Sequence, residues 1–199
     1  MDYKIYDHLK YSICAPYPDK KEIKFLKAQM KTYKNEKTKK TLVAVYVFNK
    51  SFTHLLINLN RETVCFPHIY GFGGKWGVPK GKKEIYDKHD VDTAIRELYE
   101  ETGYKIIVDD LYNCPIRLRN TTTYTVFMDD TCMNQLSTDF IEYEKEIQSV
   151  AWIPIDFIGT ILPKDNCNST LKPIIKKNMI NTIKNIIPSI SNTSSIKRE

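Results

Sequence analysis

Two continuous apolar runs stand out in the hydrophobic pattern of the chain. Residues 42–48 read LVAVYVF and residues 53–59 read THLLINL, so each run has the length of a buried strand. The four residues between them, 49–52, are enough for a hairpin connection. The pattern therefore predicts two neighbouring strands joined by a hairpin.

Shorter strand-like runs follow along the chain. They are residues 105–108 (KIIV), 115–119 (PIRLR), 122–128 (TTYTVFM) and 149–155 (SVAWIPI). Residues 60–74 are expected to form a loop, and residues 76–79 (WGVP) are expected to lead as a strand-like segment into a tight Pro-Lys-Gly turn. Strands mixed with helices in this way predict an α/β sandwich with a mixed sheet.

An amphipathic helix is predicted over residues 91–102. Its apolar positions recur at helical spacing and form one arc of the surface, namely Val91, Ala94, Ile95 and Leu98 with Thr102 at the edge. Asp90 is the predicted N-cap, because its side chain can accept a hydrogen bond from a free amide of the first turn. Gly103 is the predicted left-handed residue that ends the helix.

Basic helices are predicted near both ends of the chain. The first covers about residues 20–34, where Asp19 and Glu22 form a capping pair. The second covers residues 169–187, with apolar residues on one side and lysines on the other, and residues 189–199 are expected to form a disordered tail. We expect the apolar side of the first helix to pack on the domain, with contact to a nucleic-acid backbone as the alternative.

The composition predicts one core with extensions. A chain of 199 residues with 42% hydrophobic content can bury one good core. We therefore divide the chain into a basic N-terminal extension with its helix (residues 1–40), a catalytic domain (41–165) and a C-terminal basic helix with a flexible tail (166–199).

The cysteines and the apolar runs predict an intracellular, cytoplasmic protein. The chain has five cysteines, an odd number, and no Cys-x-x-Cys pair, which is typical of reduced thiols and argues against a disulfide-linked partner. The charged N terminus does not resemble a signal peptide, and no apolar run approaches the roughly 18 residues of a membrane span. The net charge of +6 indicates a polyanionic partner such as nucleic acid.

The predicted central helix concentrates negative charge. Glu97, Glu100 and Glu101 share about one quadrant, beside the apolar arc, and each pair of like charges costs an isolated helix roughly 0.2–0.5 kcal/mol. The preceding residues 75–90 (KWGVPKGKKEIYDKHD) bring lysines and backbone amides to the start of the helix. Such a loop and helix can hold a polyphosphate together with the Mg²⁺ or Mn²⁺ that neutralises it. A solvated acidic face is the alternative.

The motif residues resemble the box of the Nudix hydrolases. That box has a glycine, a glutamate and then Arg-Glu-hydrophobic-x-Glu-Glu-x-Gly-hydrophobic, and the matching residues here are Gly81, Arg96, Glu97, Leu98, Glu100, Glu101, Gly103 and Tyr104. The interval from Gly81 to Arg96 is one residue longer than in the family. The first box glutamate therefore falls on Asp87 or on Lys88, and Asp87 is the predicted partner of Arg96.

The resemblance implies a set of roles for these residues. Glu97, Glu100 and Glu101 would hold Mg²⁺ or Mn²⁺, Arg96 would orient the helix through an ion pair, and Gly81 would let the loop turn close to the substrate. Further candidates for substrate binding are Lys80, Lys82 and Trp76. A fourth carboxylate is expected from outside the box, as a metal ligand or general base: Glu146, with Glu144 as the alternative.

The run WGVPKGK followed by KHDVDTAIRELYEETGY is most similar to the messenger-RNA decapping branch of the Nudix family, found in eukaryotes and large DNA viruses. That resemblance implies cleavage of the 5′ cap to 7-methyl-GDP and 5′-monophosphate RNA. A compact viral version acting in the host cytoplasm is the preferred interpretation, because forty residues cannot hold the long helical domain that precedes the eukaryotic catalytic domain.

Capped RNA is accordingly the predicted partner, and the oligomeric state stays open. Lys172, Lys176 and Lys177 are candidates for holding the RNA body. Tyr70, Phe72 or Trp76 could stack on the cap base, although core packing is the favoured role for Trp76 and Trp152.

Two other functions remain as alternatives. One is hydrolysis of small polyphosphates such as diadenosine tetraphosphate or diphosphoinositol polyphosphate. The other is a non-catalytic RNA-binding module that has kept the fold.

Overall fold

A mixed sheet forms the centre of the fold in the computed structural model. The structure describes residues 10–14, 19–21, 23–25, 27–28, 42–66, 69, 74–111, 115–118, 120–136, 146–176, 180–181 and 183. The strands within these residues are β1 (Lys10–Cys14), β2 (Leu42–Asn49), β3 (His54–Asn60), β4 (Trp76–Gly77), β5 (Lys80–Lys82), β6 (Ile116–Leu118), β7 (Thr121–Met128) and β8 (Ile147–Pro154). The α-helices are α1 (Arg61–Cys65), α2 (Asp90–Thr102), α3 (Ile158–Ile161) and α4 (Lys172–Ile175).

The sheet runs in the order β1-β8-β3-β2-β7-β6. Strands β2 and β7 are parallel, from Leu42 opposite Thr121 to Asn49 opposite Met128, whereas the other pairs are antiparallel. The sheet is therefore mixed, as predicted.

Strands β2 and β3 diverge away from their hairpin, and residues 76–82 enter the gap. The two strands pair at Phe48 and Leu55, next to the hairpin. Further along, β4 pairs with β3 and β5 pairs with β2. We call residues 76–82 the wedge. The predicted tight Pro-Lys-Gly turn is therefore wrong, because Lys80–Lys82 form a strand that hydrogen-bonds to β2.

Side chains alternate between the two faces of the sheet, and helices cover both faces. On one face, Tyr46 and Ile57 pack in a core with Leu171 and Ile174 from the region of α4. The core of the other face includes Ala94 and Leu98 of α2, with strand residues such as Val45, Leu56 and Trp152. This arrangement confirms the predicted α/β sandwich and gives it three layers, α/β/α.

Five of the predicted strands are present with shifted bounds, as β2, β3, β6, β7 and β8. The strand predicted at residues 105–108 is wrong. Tyr104 and Ile106 are buried while Lys105 and Ile107 are exposed, so the alternation is real, but these residues belong to none of the sheet's ladders and a 3₁₀ turn begins at Val108.

Some elements were not predicted from the pattern, among them strand β1 and helices α1 and α3. Strand β1 lies at one edge of the sheet, where it pairs with β8. Helix α1 lies within the predicted loop, and the side chain of Asn60 caps it by accepting a hydrogen bond from the backbone N–H of Thr63.

Parts of the terminal predictions lie outside the described residues. Residues 20–21, 23–25 and 27–28 are helical, whereas residues 29–41 and the predicted tail are outside that range. In the C-terminal stretch, α4 and residues 180–181 and 183 are helical. The domain division stays a prediction, although Leu171 and Ile183 share one core with Tyr46.

The described cysteines and helices add two findings. Cys65, Cys132 and Cys167 carry free thiols. No helix within the described residues has both the length and the apolar character needed to cross a membrane.

Candidate active site

Helix α2 presents the predicted glutamates next to the wedge. The helix begins at Asp90, and His89 is its N-cap, which corrects the predicted cap by one residue. The carboxylate of Asp92 accepts hydrogen bonds from the backbone N–H groups of Lys88 (2.9 Å) and His89 (2.8 Å), and these bonds fix the first turn. At the other end, Gly103 adopts the predicted left-handed conformation, with φ of 76°.

Arg96 joins the acidic residues of the site. Its Nη1 donates to Glu97 Oε1 (2.8 Å) and to Glu100 Oε2 (2.7 Å). Its Nη2 donates to Asp87 Oδ2 (2.9 Å) and to the carbonyl oxygen of Lys82 (2.8 Å). The guanidinium therefore fixes the helix to the loop and to the end of β5.

Asp87 is the partner of Arg96, as the sequence predicted. Its side chain is only 3% exposed, and it also accepts hydrogen bonds from the backbone N–H of Glu84 (2.9 Å) and from Thr93 Oγ1 (3.0 Å). Burial alone would raise the pKa of this carboxyl, but the hydrogen bonds from Arg96, Glu84 and Thr93 outweigh burial and hold the pKa below its usual value. Asp87 is thus an ionised anchor of the loop.

Glu101 lies buried between the helix and the wedge. Its Oε2 accepts hydrogen bonds from Asn58 Nδ2 (2.5 Å) and from the backbone N–H of Lys80 (3.0 Å). Asn58 was missed in the sequence-based assignment. The available signal was a polar residue inside the apolar run of β3, because a buried amide requires a hydrogen-bond partner.

Gly81 lies directly beneath the carboxylate of Glu97. A Cβ atom at position 81 would overlap with the carboxyl carbon and both oxygens of Glu97. Gly81 does not have a positive φ and belongs to strand β5. The expectation that this glycine provides a turn is therefore wrong: the glycine is required because a carboxylate approaches the backbone.

Burial makes the negative charge of two glutamates unfavourable. It raises the pKa of Glu97 to about 7, against the opposing effect of Arg96 and with additional repulsion from Glu100 and Glu146. It raises the pKa of Glu101 to about 8, against the opposing effect of Lys80 and with additional repulsion from Glu97. The cations around these two carboxyl groups therefore do not offset the effect of burial on their charged forms.

Glu146 is exposed and immediately precedes β8. Its carbonyl oxygen accepts a hydrogen bond from the backbone N–H of Arg61 (2.8 Å), and its charge acts on Glu97. Its position beside the glutamate helix is compatible with the predicted role, which stays a prediction. Glu144, the alternative, lies outside the described residues.

The donor chemistry of the site fits a hard divalent cation. Three carboxylates come from one helix, and the burial of Glu97 and Glu101 disfavours their charged forms unless a cation is near. In the described part of the chain, no three His, Cys, Asp or Glu side chains are already arranged as a metal site. Arg96 instead bridges Glu97 and Glu100.

The predicted substrate-binding residues Trp76, Lys80 and Lys82 differ in how deeply they are buried. Trp76 is 1% exposed and packs in the core, so its assignment to substrate binding is wrong and the core alternative is confirmed. Lys80 and Lys82 are half-buried and contribute backbone groups to the site. Side-chain contacts of these two lysines with a substrate stay a prediction.

Two of the predicted RNA-binding lysines, Lys172 and Lys176, lie away from α2. Lys172 begins α4 and exposed Lys176 follows it, and α4 packs on the opposite face of the sheet from α2. Lys177, Tyr70 and Phe72 are outside the described residues.

Two known relatives match part of this chain. The "mRNA decapping complex subunit 2" of Schizosaccharomyces pombe is 33% identical over 76 residues, which are 36% of this chain and 10% of that protein. The "Putative hydrolase 111R" of Invertebrate iridescent virus 3 is 31% identical over 81 residues, 41% of this chain and 46% of that protein. The matches thus cover less than half the length of either relative.

The chain is also similar, at low sequence identity, to several solved structures. A structure from a study of MutT from Aliivibrio salmonicida and Vibrio cholerae has a TM-score of 0.43 and 19% identity, covering 69% of this chain and 98% of the other. A C. elegans Ap4A hydrolase complex has a TM-score of 0.41 and 15% identity, covering 71% and 95%.

The family model for the NUDIX domain matches residues 38–175, which include the wedge, α2 and the whole carboxylate cluster. Within the matched range, the motif residues Arg96 and Gly81 both contact Glu97 of helix α2. The chain belongs to the NUDIX domain family.

Proposed function

We propose that this Nudix pyrophosphohydrolase cleaves the phosphoanhydride bridge in the 5′ cap of mRNA and releases 7-methyl-GDP and 5′-monophosphate RNA. The observation that carries the hydrolytic part is the cluster of Glu97, Glu100 and Glu101, which Arg96 and the wedge hold in place. Burial disfavours the charged forms of Glu97 and Glu101, and a bound divalent cation would stabilise them.

The protein's own groups prepare the carboxylates for that reaction. Mg²⁺ or Mn²⁺ bound by Glu97, Glu100, Glu101 and Glu146 would neutralise phosphate oxygens and lower the pKa of a bound water. Asn58 and the backbone of Lys80 hold Oε2 of Glu101, while Oε1 accepts no hydrogen bond from the described residues. That oxygen is therefore available for a ligand.

Arg96 has a positioning role in this proposal. It holds Glu97 and Glu100 together and ties them to Asp87. Glu146, at the start of β8, is the proposed general base or additional metal ligand, because its charge acts on Glu97 and its side chain is exposed.

The cap substrate is supported by likeness and by charge. The S. pombe relative is a decapping complex subunit, and the match with it is 33% identical over 76 residues. The net charge of +6, despite an acidic site, favours a polyanionic substrate that extends beyond the site. Lys172, Lys176 and Lys177 are the proposed contacts for the RNA body, and the proposed place of action is the cytoplasm, of the host if the protein is viral.

A substrate panel separates this proposal from its alternatives. The protein is incubated with Mg²⁺ or Mn²⁺ and, in separate reactions, with cap-labelled RNA, free cap dinucleotide, diadenosine tetraphosphate and a diphosphoinositol polyphosphate. We expect release of 7-methyl-GDP from long RNA. Cleavage of the small polyphosphates alone would reject decapping, and RNA binding without any hydrolysis would indicate a non-catalytic module.

A further inference from the structure

The loop between β5 and α2 carries two large exposed side chains at its tip. Ile85 is 100% exposed and Tyr86 is 66% exposed. Residues 83–88, which we call the clamp turn, are exposed except for Asp87, whereas β5 before them is half-buried. Exposure of an aliphatic and an aromatic side chain next to a candidate active site points to a ligand that extends beyond the carboxylates.

The clamp turn is anchored on both sides of its tip. Asp87 accepts a hydrogen bond from the backbone N–H of Glu84 (2.9 Å), and the backbone N–H of Asp87 donates back to the carbonyl of Glu84 (3.2 Å). Lys83 Nζ donates to the carbonyl of Lys88 (2.6 Å). These bonds close the turn, so that Tyr86 is presented on a fixed support and little conformational entropy is lost when a ligand contacts it.

Arg96 links the aromatic ring to the carboxylates. Its Cζ lies 5.8 Å from the centroid of the Tyr86 ring, and the same guanidinium bonds to Glu97 and Glu100. The ring and the carboxylates are therefore neighbours of one side chain. One side of the ring faces this guanidinium, and the exposed remainder is accessible to a planar ligand.

The charges around the tip favour a polyanion. Lys83 and Lys88 are exposed on either side of Ile85 and Tyr86, while Glu84 is the single exposed carboxylate within the turn. Asp87 is buried and paired with Arg96. Lysines interleaved with an exposed aromatic side chain are the combination by which proteins bind single-stranded nucleic acid, because bases stack on the ring and phosphates pair with the cations.

We infer that the clamp turn binds the first unpaired nucleotides of the RNA body, with a base stacked on Tyr86 and the backbone beside Lys83 and Lys88. The inference rests on the proposed function for the placement of the RNA 5′ end at the carboxylates. It adds an RNA contact on the α2 face of the sheet for the nucleotides nearest the cap, whereas Lys172 and Lys176, the contacts proposed for the RNA body, lie on the other face.

The test compares three variants with the parent. Tyr86→Ala removes the ring, Tyr86→Phe keeps it, and Phe157→Ala removes a ring that is 55% exposed elsewhere on the surface. Two quantities are measured for each protein: KM and kcat for 7-methyl-GDP release from capped single-stranded RNA, and the affinity for uncapped 5′-monophosphate RNA by fluorescence anisotropy. The second measurement requires no catalysis.

We expect Tyr86→Ala to raise KM about tenfold and to weaken binding of uncapped RNA by a similar factor, with kcat within about twofold of the parent. Tyr86→Phe and Phe157→Ala should both match the parent. A parent-like KM and RNA affinity in Tyr86→Ala would overturn the inference and would indicate that the exposed tip contacts a protein partner instead.

The two proposals fail in different ways. A parent that releases no 7-methyl-GDP but binds uncapped RNA through Tyr86 would reject decapping and support the clamp turn. A parent that decaps RNA, and whose Tyr86→Ala variant does so with unchanged KM, would support decapping and reject the clamp turn. Circular dichroism checks that each variant is folded. We expect Tyr86→Ala to fold, because Tyr86 is exposed and its removal leaves no buried cavity.

Discussion

Gly81 lies beneath the carboxylate of Glu97, so closely that a methyl group in place of its hydrogen would occupy the same space. This contact joins strand β5, which belongs to the sheet through β2, to the glutamate helix α2. The box glycine and the box glutamate, far apart in the sequence, thus form one packed unit. Backbone geometry alone does not require glycine at this position.

Gly81→Ala should therefore damage both stability and activity. The added methyl group forces Glu97 or β5 to move, and overpacking of this kind costs about 1–3 kcal/mol in the free energy of unfolding. Urea denaturation measures that cost, and release of 7-methyl-GDP should fall because Glu97 is displaced.

Gly159→Ala is the matched control. A Cβ atom at Gly159, in helix α3, would meet Ile175 Cγ2 at 3.9 Å, which is an ordinary van der Waals distance. This variant should keep the parent stability and turnover. Equal stability and turnover in Gly81→Ala would contradict the packing account of the box glycine.

Asn58→Ala tests the hydrogen bond that positions Glu101. Loss of the amide leaves Glu101 Oε2 with the backbone N–H of Lys80 as its remaining donor. Partners of metal ligands typically change metal affinity or activity by about 10- to 100-fold when they are removed, and we expect a decrease of that order in Mn²⁺ affinity. Calorimetric titration with Mn²⁺ measures this directly, and an unchanged affinity would show that Asn58 has only a packing role.

Asp87→Asn should change how stability depends on pH. The folded-state pKa of Asp87 lies below its unfolded value, so its ionised form stabilises the protein above the unfolded pKa, and this contribution is lost as the pH falls through the folded pKa. The variant should be less stable than the parent near neutral pH, by about 2–3 kcal/mol for lost hydrogen bonds to a charged group.

The difference between Asp87→Asn and the parent should then shrink in acid. Urea denaturation at neutral pH and at pH values down to the folded pKa of Asp87 gives both numbers. A difference that is independent of pH would show that the ionised carboxylate is not the source of the stability.

The helix, most of the strands and the acidic cluster could be predicted because their signals are local. The apolar period and Gly103 defined α2, and the spacing of Arg96, Glu97 and Glu101 carried the family resemblance. Asp87 could be proposed as the partner of Arg96 because one extra loop residue explains the longer interval between Gly81 and Arg96. The structure contains this ion pair, with an N–O distance of 2.9 Å.

The wedge and the core role of Trp76 depend on contacts distant in sequence. The Gly, Pro and Lys residues of the wedge are typical of a turn. Residues 76–82 can pair as strands only because β2 and β3 diverge. Asn58 likewise depends on a partner 43 residues away. At residues 105–108 the local alternation was correct, but alternation cannot supply the neighbouring strand that a ladder requires.

The most direct test of the account is the Glu101→Gln variant, which keeps the shape of the side chain and removes its charge. It is assayed beside the parent for Mn²⁺ binding by calorimetry, for affinity to uncapped RNA, and for release of 7-methyl-GDP from capped RNA in Mg²⁺ or Mn²⁺. We expect weaker Mn²⁺ binding and loss of turnover, with RNA affinity close to that of the parent. Parent-like turnover in Glu101→Gln would contradict the assignment of this buried carboxylate to metal-dependent hydrolysis.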